Sequence, residues 1–316
     1  MAKYRTSLPQ LSDRLWLSDG GIETTLIFNE GLDLPDFAAF HLLRNEEGRK
    51  QLSRYFATYV EIAKRFRTGL ILESATWRAS SDWGDRLGYS RAALAEANIE
   101  AIRILQVLRN AHETAECPMV ISGCIGPRGD GYVVDNAMST EQAAAYHKAQ
   151  IKTFADADAD MVTAITMNYV DEAHGIVLAA QWSAMPVAIA FTVETDGNLP
   201  TGQTLRAAIE EVDAATLNYP AYYMVNCAHP SHFDSVLTER GAWRDRIRGV
   251  RANASRRSHA ELNDAPELDP GDPVELAEDY ARLTDRLPHL NIMGGCCGTD
   301  HRHIEQIAEA CSPLYA

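Results

Sequence analysis

The sequence predicts an α/β fold, a (β/α)8 barrel (TIM barrel) running as a single domain over residues 1–316. Three observations predict it. Eight short apolar runs alternate with helix-like segments, the pattern of a parallel sheet with helical crossovers. Eight such units in 316 residues suit a closed barrel better than an open doubly wound sheet. The residues able to do chemistry gather where the apolar runs end, and in a barrel those ends share one face.

In order, the first strand is Leu15-Trp16-Leu17-Ser18, broken by Asp19-Gly20-Gly21. Residues 45–67 follow as a helix, with Leu52, Tyr55, Phe56, Tyr59, Ile62, Ala63 and Phe66 at i, i+3, i+4 spacing. Leu70-Ile71-Leu72 is the second strand and ends at Glu73-Ser74-Ala75-Thr76-Trp77; a helix spans 90–115. The third strand, 118–123, opens into the glycine-dense loop from Cys124 to Gly131. Such a loop needs tight turns or a ligand close to the backbone. Ser139 with Gln142 fits a capping box and starts a helix reaching about Ala157. The fourth strand is 161–166, followed by a helix over 170–180. The fifth is 186–192, ending in Val193-Glu194-Thr195-Asp196-Gly197, with a helix over 204–214. The sixth strand, from Tyr222, ends at Asn226-Cys227, and a helix runs from Ser231 to near Arg240-Gly241. Residues 247–253 form the seventh strand. Residues 255–273, polar and holding three prolines, read as a long loop. A helix over 274–287, an eighth strand over 290–293 and a helix from Asp300 to Cys311 complete the count.

Composition excludes several classes. At 46% apolar and 23% charged the chain is an ordinary globular protein. A formal charge of −15 disfavours a nucleic-acid surface. No apolar run is long enough to span a membrane. Met1-Ala2-Lys3-Tyr4-Arg5 leads into polar sequence rather than a signal-peptide core, and six cysteines are too few for a disulfide scaffold. Together these point to a reducing cytoplasm. No dinucleotide fingerprint, phosphate loop or internal repeat is present. A homo-oligomer is compatible with the sequence.

The chemistry centres on Gly294-Gly295-Cys296-Cys297-Gly298-Thr299. Adjacent cysteines reach disulfide geometry with each other poorly. On a glycine turn both can face one soft metal ion. A catalytic zinc takes three protein ligands and keeps one position open. Cys227, also at a strand end, is the candidate third ligand. A lone cysteine is ordinarily a small buried apolar residue; a Cys-Cys pair framed by glycines, with a third Cys at an equivalent strand end, favours metal. His229, two residues beyond Cys227, is the rival ligand. Cys124 sits at a strand end with three ligands already assigned, and Cys117 and Cys311 lie away from strand ends.

Asp19-Gly20-Gly21, Gly126-Pro127, Phe191-Thr192-Val193-Glu194, Asn226-Cys227 and Gly294-Gly295-Cys296-Cys297-Gly298 occur in this order. In this the chain resembles the homocysteine S-methyltransferases over nearly its whole length. The Asn-Cys and Gly-Gly-Cys-Cys-Gly pieces are the specific ones. The resemblance implies a zinc-dependent barrel that methylates the sulfur of homocysteine to make methionine. It implies Zn2+ on Cys227, Cys296 and Cys297, and a site at Asp19, Gly20 and Gly21 for the amino-acid end of the substrate. The zinc chemistry is consistent with this. Coordination deprotonates a thiol, and three cysteine thiolates leave the site negative, so a fourth, substrate sulfur stays electron-rich. The methyl donor is then an onium compound, such as S-methylmethionine or betaine. An aromatic face holds such a cation, and Trp77 is the candidate.

One departure stands out. The family carries Glu before Thr after the fourth strand, where it binds the substrate's amino group. Here Ile165 precedes Thr166. Either Glu73 or Glu194 compensates, or the acceptor is a different thiol. The expected substrate-binding set is therefore Asp19, Gly20, Gly21, Glu73, Thr76, Trp77, Thr166 and Glu194. Two other readings remain open: a cysteine-nucleophile hydrolase or redox enzyme, which needs a histidine partner such as His229, and a non-catalytic binding protein on the same barrel.

Overall fold

The computed structural model describes residues 1–265 and 267–315. Eight parallel strands pair in chain order and close into a barrel. They are β1 (Trp16–Leu17), β2 (Gly69–Glu73), β3 (Met119–Ile125), β4 (Met161–Met167), β5 (Val187–Phe191), β6 (Tyr222–Asn226), β7 (Ile247–Ala252) and β8 (Ile292–Gly295). Closure rests on the two-residue β1, where Trp16 pairs with Gly69 on one side and Ile292 on the other.

The helices are α1 (Glu46–Phe66), α2 (Ser81–Arg86), α3 (Arg91–His112), α4 (Thr140–Asp156) and α5 (Val170–Trp182). They continue with α6 (Leu205–Thr216), α7 (Pro230–Phe233), α8 (His259–Asn263), α9 (Pro273–Thr284) and α10 (His301–Cys311). Their starts follow the capping residues. Asn45 accepts from the Gly48 N–H, and Ser139 and Gln142 cap each other reciprocally.

Apolar residues divide into two layers. The larger lies between strands and helices and includes Leu17, Leu70, Ile121, Val162, Phe191 and Val225. The smaller fills the barrel's interior with Trp16, Ile71, Val120, Met161, Tyr222 and Met224. Strand residues alternate between the two, as the period of two requires. Towards the C-terminal ends the interior turns polar. There Glu73, Ser122, Thr163 and Arg251 are buried, and this layer is the floor of the site.

Two segments differ from the sequence reading. The helix expected from Ser231 to Gly241 is only α7 followed by a 3-10 turn, Val236–Thr238. Thr238 Oγ1 donates to the Ser235 carbonyl, a local bond that competes with helix continuation. The expected loop at 255–273 contains α8, closed by a capping box between Ser258 and Glu261. Short helical segments at Thr24–Asn29 and α2 also lay outside the expectation.

Candidate metal centre and its pocket

The sulfurs of Cys227, Cys296 and Cys297 all lie within 4.8 Å of one another. Cys227 follows β6 and the pair follows β8, so adjacent chain order plays no part; barrel closure brings them together. The backbone at Cys227 is left-handed, with φ 53°. For a residue with a Cβ that conformation costs free energy. Here it is held by Asn253, whose Nδ2 donates to the Cys227 carbonyl at 3.0 Å, and by His259 Nε2, which donates to the same oxygen. Thr166, at the irregular end of β4, is also left-handed, with φ 62°. Its N–H donates to Asn226 Oδ1 at 2.8 Å, and Asn226 Nδ2 returns a bond to Thr166 Oγ1 at 2.9 Å. The Thr166 hydroxyl thereby stands 3.7 Å from Cys227 Sγ.

In this structure Cys227 and Cys296 are joined as a disulfide with Cα atoms 5.4 Å apart, while Cys297 is free. The expectation was three free thiolates. A disulfide and a metal exclude each other on the same two sulfurs, so metal binding belongs to the reduced pair. Tetrahedral zinc with thiolates at about 2.3 Å separates sulfurs by roughly 3.8 Å, which lies within the 4.8 Å limit of the cluster and requires the bonded Cys227 and Cys296 sulfurs to part on reduction. The donor set is wholly soft sulfur, which suits zinc.

The cysteine turn is stitched to the loop after β1. Gly21 N–H donates to the Thr299 carbonyl at 3.1 Å, and Gly298 N–H donates to Thr24 Oγ1 at 3.0 Å. A Cβ on Gly21 would stand 2.5 Å from the Cys296 carbonyl oxygen, so only glycine permits this approach.

One pocket is lined by the three cysteines together with Asp19, Gly20, Gly21, Glu73, Thr76, Trp77, Thr166 and Ile165. Thus all but one of the sequence-predicted residues converge. The exception is Glu194. It does not line the pocket; its carboxylate lies 3.3 Å from His259 Nδ1. His259 in turn holds the Cys227 carbonyl and packs its ring 4.0 Å from that of Tyr132. The Tyr132 hydroxyl is 3.4 Å from Cys297 Sγ. Glu194 therefore reaches the sulfurs only through His259. His229, the rival ligand, is turned away, its Nε2 3.6 Å from Asp279. Burial pushes its imidazole down to about 4, although Asp279 pulls the other way. Among the described residues no imidazole hydrogen-bonds a cysteine sulfur, which removes the partner a cysteine nucleophile requires. Cys124 lines the pocket outside the sulfur cluster, and burial pushes its thiol well above the ordinary range.

Besides Tyr132 and His259, two charged site residues escaped the sequence reading. Arg251, near the end of β7, is buried and donates to Glu73 Oε2 at 2.6 Å and to Asp19 Oδ1 at 2.7 Å. Its Nε donates to the Gly295 carbonyl at 3.1 Å. Burial opposes the guanidinium charge, but the two carboxylates outweigh it and hold the group above its ordinary range. Tyr55 donates to Asp19 Oδ2 at 2.8 Å, which leaves Asp19 engaged on both oxygens. The second missed residue is Glu23, which lines the pocket. Burial pushes its carboxyl up to about 7, helped by the negative charge of Asp19. Around Trp77, the Arg78 guanidinium lies 4.0 Å from the indole centroid and covers one face.

Comparison with known proteins agrees with this geometry. The family model for homocysteine S-methyltransferase matches residues 16–311. Betaine–homocysteine S-methyltransferase 1 of Rattus norvegicus is 27% identical over 192 residues; the match covers 55% of this chain and 45% of the relative. The chain thus spans less than half the length of that curated relative. The homocysteine methyltransferase MmuM of Escherichia coli, in its metallated form, superposes with a TM-score of 0.74 at 18% identity, covering 96% of this chain and 98% of that one. Its oxidized form gives 0.74 at 19%. At these identities the likeness speaks to the fold.

Proposed function

Because the chain belongs to the homocysteine S-methyltransferase family, we propose that it transfers a methyl group from an onium donor to the thiol of homocysteine, giving methionine, with zinc on Cys227, Cys296 and Cys297. The observation that carries this reading is the three-sulfur cluster at the mouth of the barrel, opening onto an acid-lined pocket. Zinc held there would supply an acidifying centre, keeping a bound thiol deprotonated at neutral pH. In the reaction a sulfur–carbon bond forms to the methyl group while the donor's onium bond breaks. The bonding pair stays on the donor, which becomes neutral at that atom, and the thiol proton passes to solvent.

The chain's own residues supply position. The Asn226–Thr166 pair and the His259–Cys227 bond fix the sulfurs in direction. Trp77 and Tyr132 line the same pocket and offer aromatic surface to the cationic donor, S-methylmethionine or betaine. The Gly20-Gly21 backbone borders the acceptor's side. Holding sulfur and methyl carbon in line is the main catalytic task left to the protein. The reduced cysteines this requires fit a cytoplasmic enzyme of methionine biosynthesis. Among the described residues no helix is long and apolar enough to cross a membrane.

The test is a methyl-transfer assay on reduced, zinc-loaded protein with homocysteine and each donor in turn. Methionine formation that disappears in Cys227→Ser supports the reading. Absence of methionine with every onium donor contradicts it.

A further inference from the structure

A homocysteine molecule brings an ammonium group as well as a thiol, separated by three carbons. The pocket must receive that charge, and the carboxylates around it are not equivalent. Asp19 and Glu73 both face Arg251, at 2.7 and 2.6 Å, and Asp19 also accepts from Tyr55. Pulling either away would leave a buried guanidinium short of a partner, at considerable cost. Glu194 lies outside the pocket against His259. Ile165, on the wall near Thr166, offers no charge.

Glu23 is different. It lines the pocket with the three cysteines, and among the described residues no ion pair engages its carboxylate. Its place is rigid. Gly21, two residues before it, is pressed against the Cys296 carbonyl, and Thr24, one residue after, accepts from the Gly298 N–H. The segment carrying Glu23 is therefore bonded on both sides to the turn carrying Cys296 and Cys297. We propose that Glu23 receives the α-ammonium of the acceptor and makes the site selective for an amino thiol over a thiol without that group. This rests on the methyl-transfer reading and names the residue that chooses its acceptor. It also gives Asp19 and Glu73 a different duty, that of fixing Arg251 under the cysteine turn.

The experiment compares homocysteine with 4-sulfanylbutanoate, the same chain without the ammonium, on reduced zinc-loaded wild type, Glu23→Gln and Glu23→Asp. Zinc content is measured in each to show that the site is intact. Glu23→Gln is expected to raise the KM for homocysteine by roughly ten- to a hundredfold, the scale of one charge-assisted hydrogen bond. The KM for 4-sulfanylbutanoate should move less than about threefold, and Glu23→Asp should recover part of the loss. Wild type that uses both thiols equally well, or a Glu23→Gln that raises both KM values alike, overturns the assignment while methyl transfer stands. A rise in the donor's KM alone assigns Glu23 to the donor and likewise overturns it. Zinc-bound wild type that methylates neither thiol contradicts the proposed function itself, and this inference with it.

Discussion

Arg251 Nη1 donates to Glu73 Oε2 at 2.6 Å across the mouth of the barrel. The same guanidinium reaches Asp19 and the Gly295 carbonyl. It therefore ties the ends of β1, β2, β7 and β8 together directly beneath the cysteine turn. Arg251→Met strands two buried carboxylates, and we expect a loss of about 3–5 kcal/mol in stability. Arg251→Lys keeps the charge without the planar fork, so it should recover only part of that. Urea unfolding of reduced, metal-free protein at pH 7 measures both; an unchanged midpoint in Arg251→Met would contradict this role.

His259 links Glu194 to the Cys227 carbonyl and stacks against Tyr132. Removing it frees a strained cysteine backbone without touching a sulfur. His259→Ala is expected to weaken zinc binding by roughly 10–100-fold, the usual effect of losing a supporting partner. Competition with a chromophoric chelator reads this directly. His229→Ala, whose ring points to Asp279, should leave zinc affinity within about twofold of wild type.

Asp300 caps α10: its carboxylate accepts from the Arg302 N–H and guanidinium, and its own N–H donates to His303 Nδ1. Burial pushes its carboxyl up, but the adjacent His303 ring, the Arg302 guanidinium and the Arg302 N–H outweigh this and hold it far below the carboxylate range. A carboxyl depressed in the folded state contributes stability above its unfolded value, near 3.9. That contribution is lost as pH falls below this value, because the unfolded chain then binds the extra proton. Asp300→Asn, which keeps the cap but loses the charge that Arg302 engages, should therefore cost about 1–2 kcal/mol at pH 7, with the gap to wild type narrowing between about pH 4 and pH 2. Urea midpoints of the metal-free reduced proteins across that range test the sign; a gap that widens in acid contradicts it.

Gly21 has no room for a methyl group, because the Cys296 carbonyl oxygen would lie 2.5 Å from it. The nearest obstruction is backbone, with Thr24 Oγ1 next at 2.9 Å, so Gly21→Ala must shift the cysteine turn. We expect a cost of about 1–3 kcal/mol in stability and a zinc-content defect larger than that of His229→Ala. Normal zinc content in Gly21→Ala would show that the two turns are independent.

The barrel was legible because each of its eight strands is a short apolar run ended by a turn, and that information is local. The three-cysteine cluster was legible for the same reason: Cys227 and the Cys296-Cys297 pair sit at strand ends, and closure of the barrel brings them together. Arg251 was hidden because its partners lie 178 and 232 residues away along the chain. The signal existed: an arginine in a strand and two isolated acids, Asp19 and Glu73, at other strand ends, which a barrel forces into one layer. Glu23 was hidden because a charged residue just past a glycine turn reads as solvated. Only the stitching of that turn to Cys296 encloses it. Glu194 lies outside the pocket lining with His259 between it and Cys227, an arrangement that sequence order does not reveal.

On the proposed reading, Cys227, Cys296 and Cys297 would hold zinc, which would acidify the acceptor thiol. The most direct measurement is zinc stoichiometry of freshly reduced protein, wild type and Cys297→Ser, with proton release followed as homocysteine is added. We expect one zinc per chain in wild type, its loss in Cys297→Ser, and about one proton released per homocysteine bound. Reduced wild-type protein that holds no zinc, or zinc that homocysteine leaves without proton release, would contradict it.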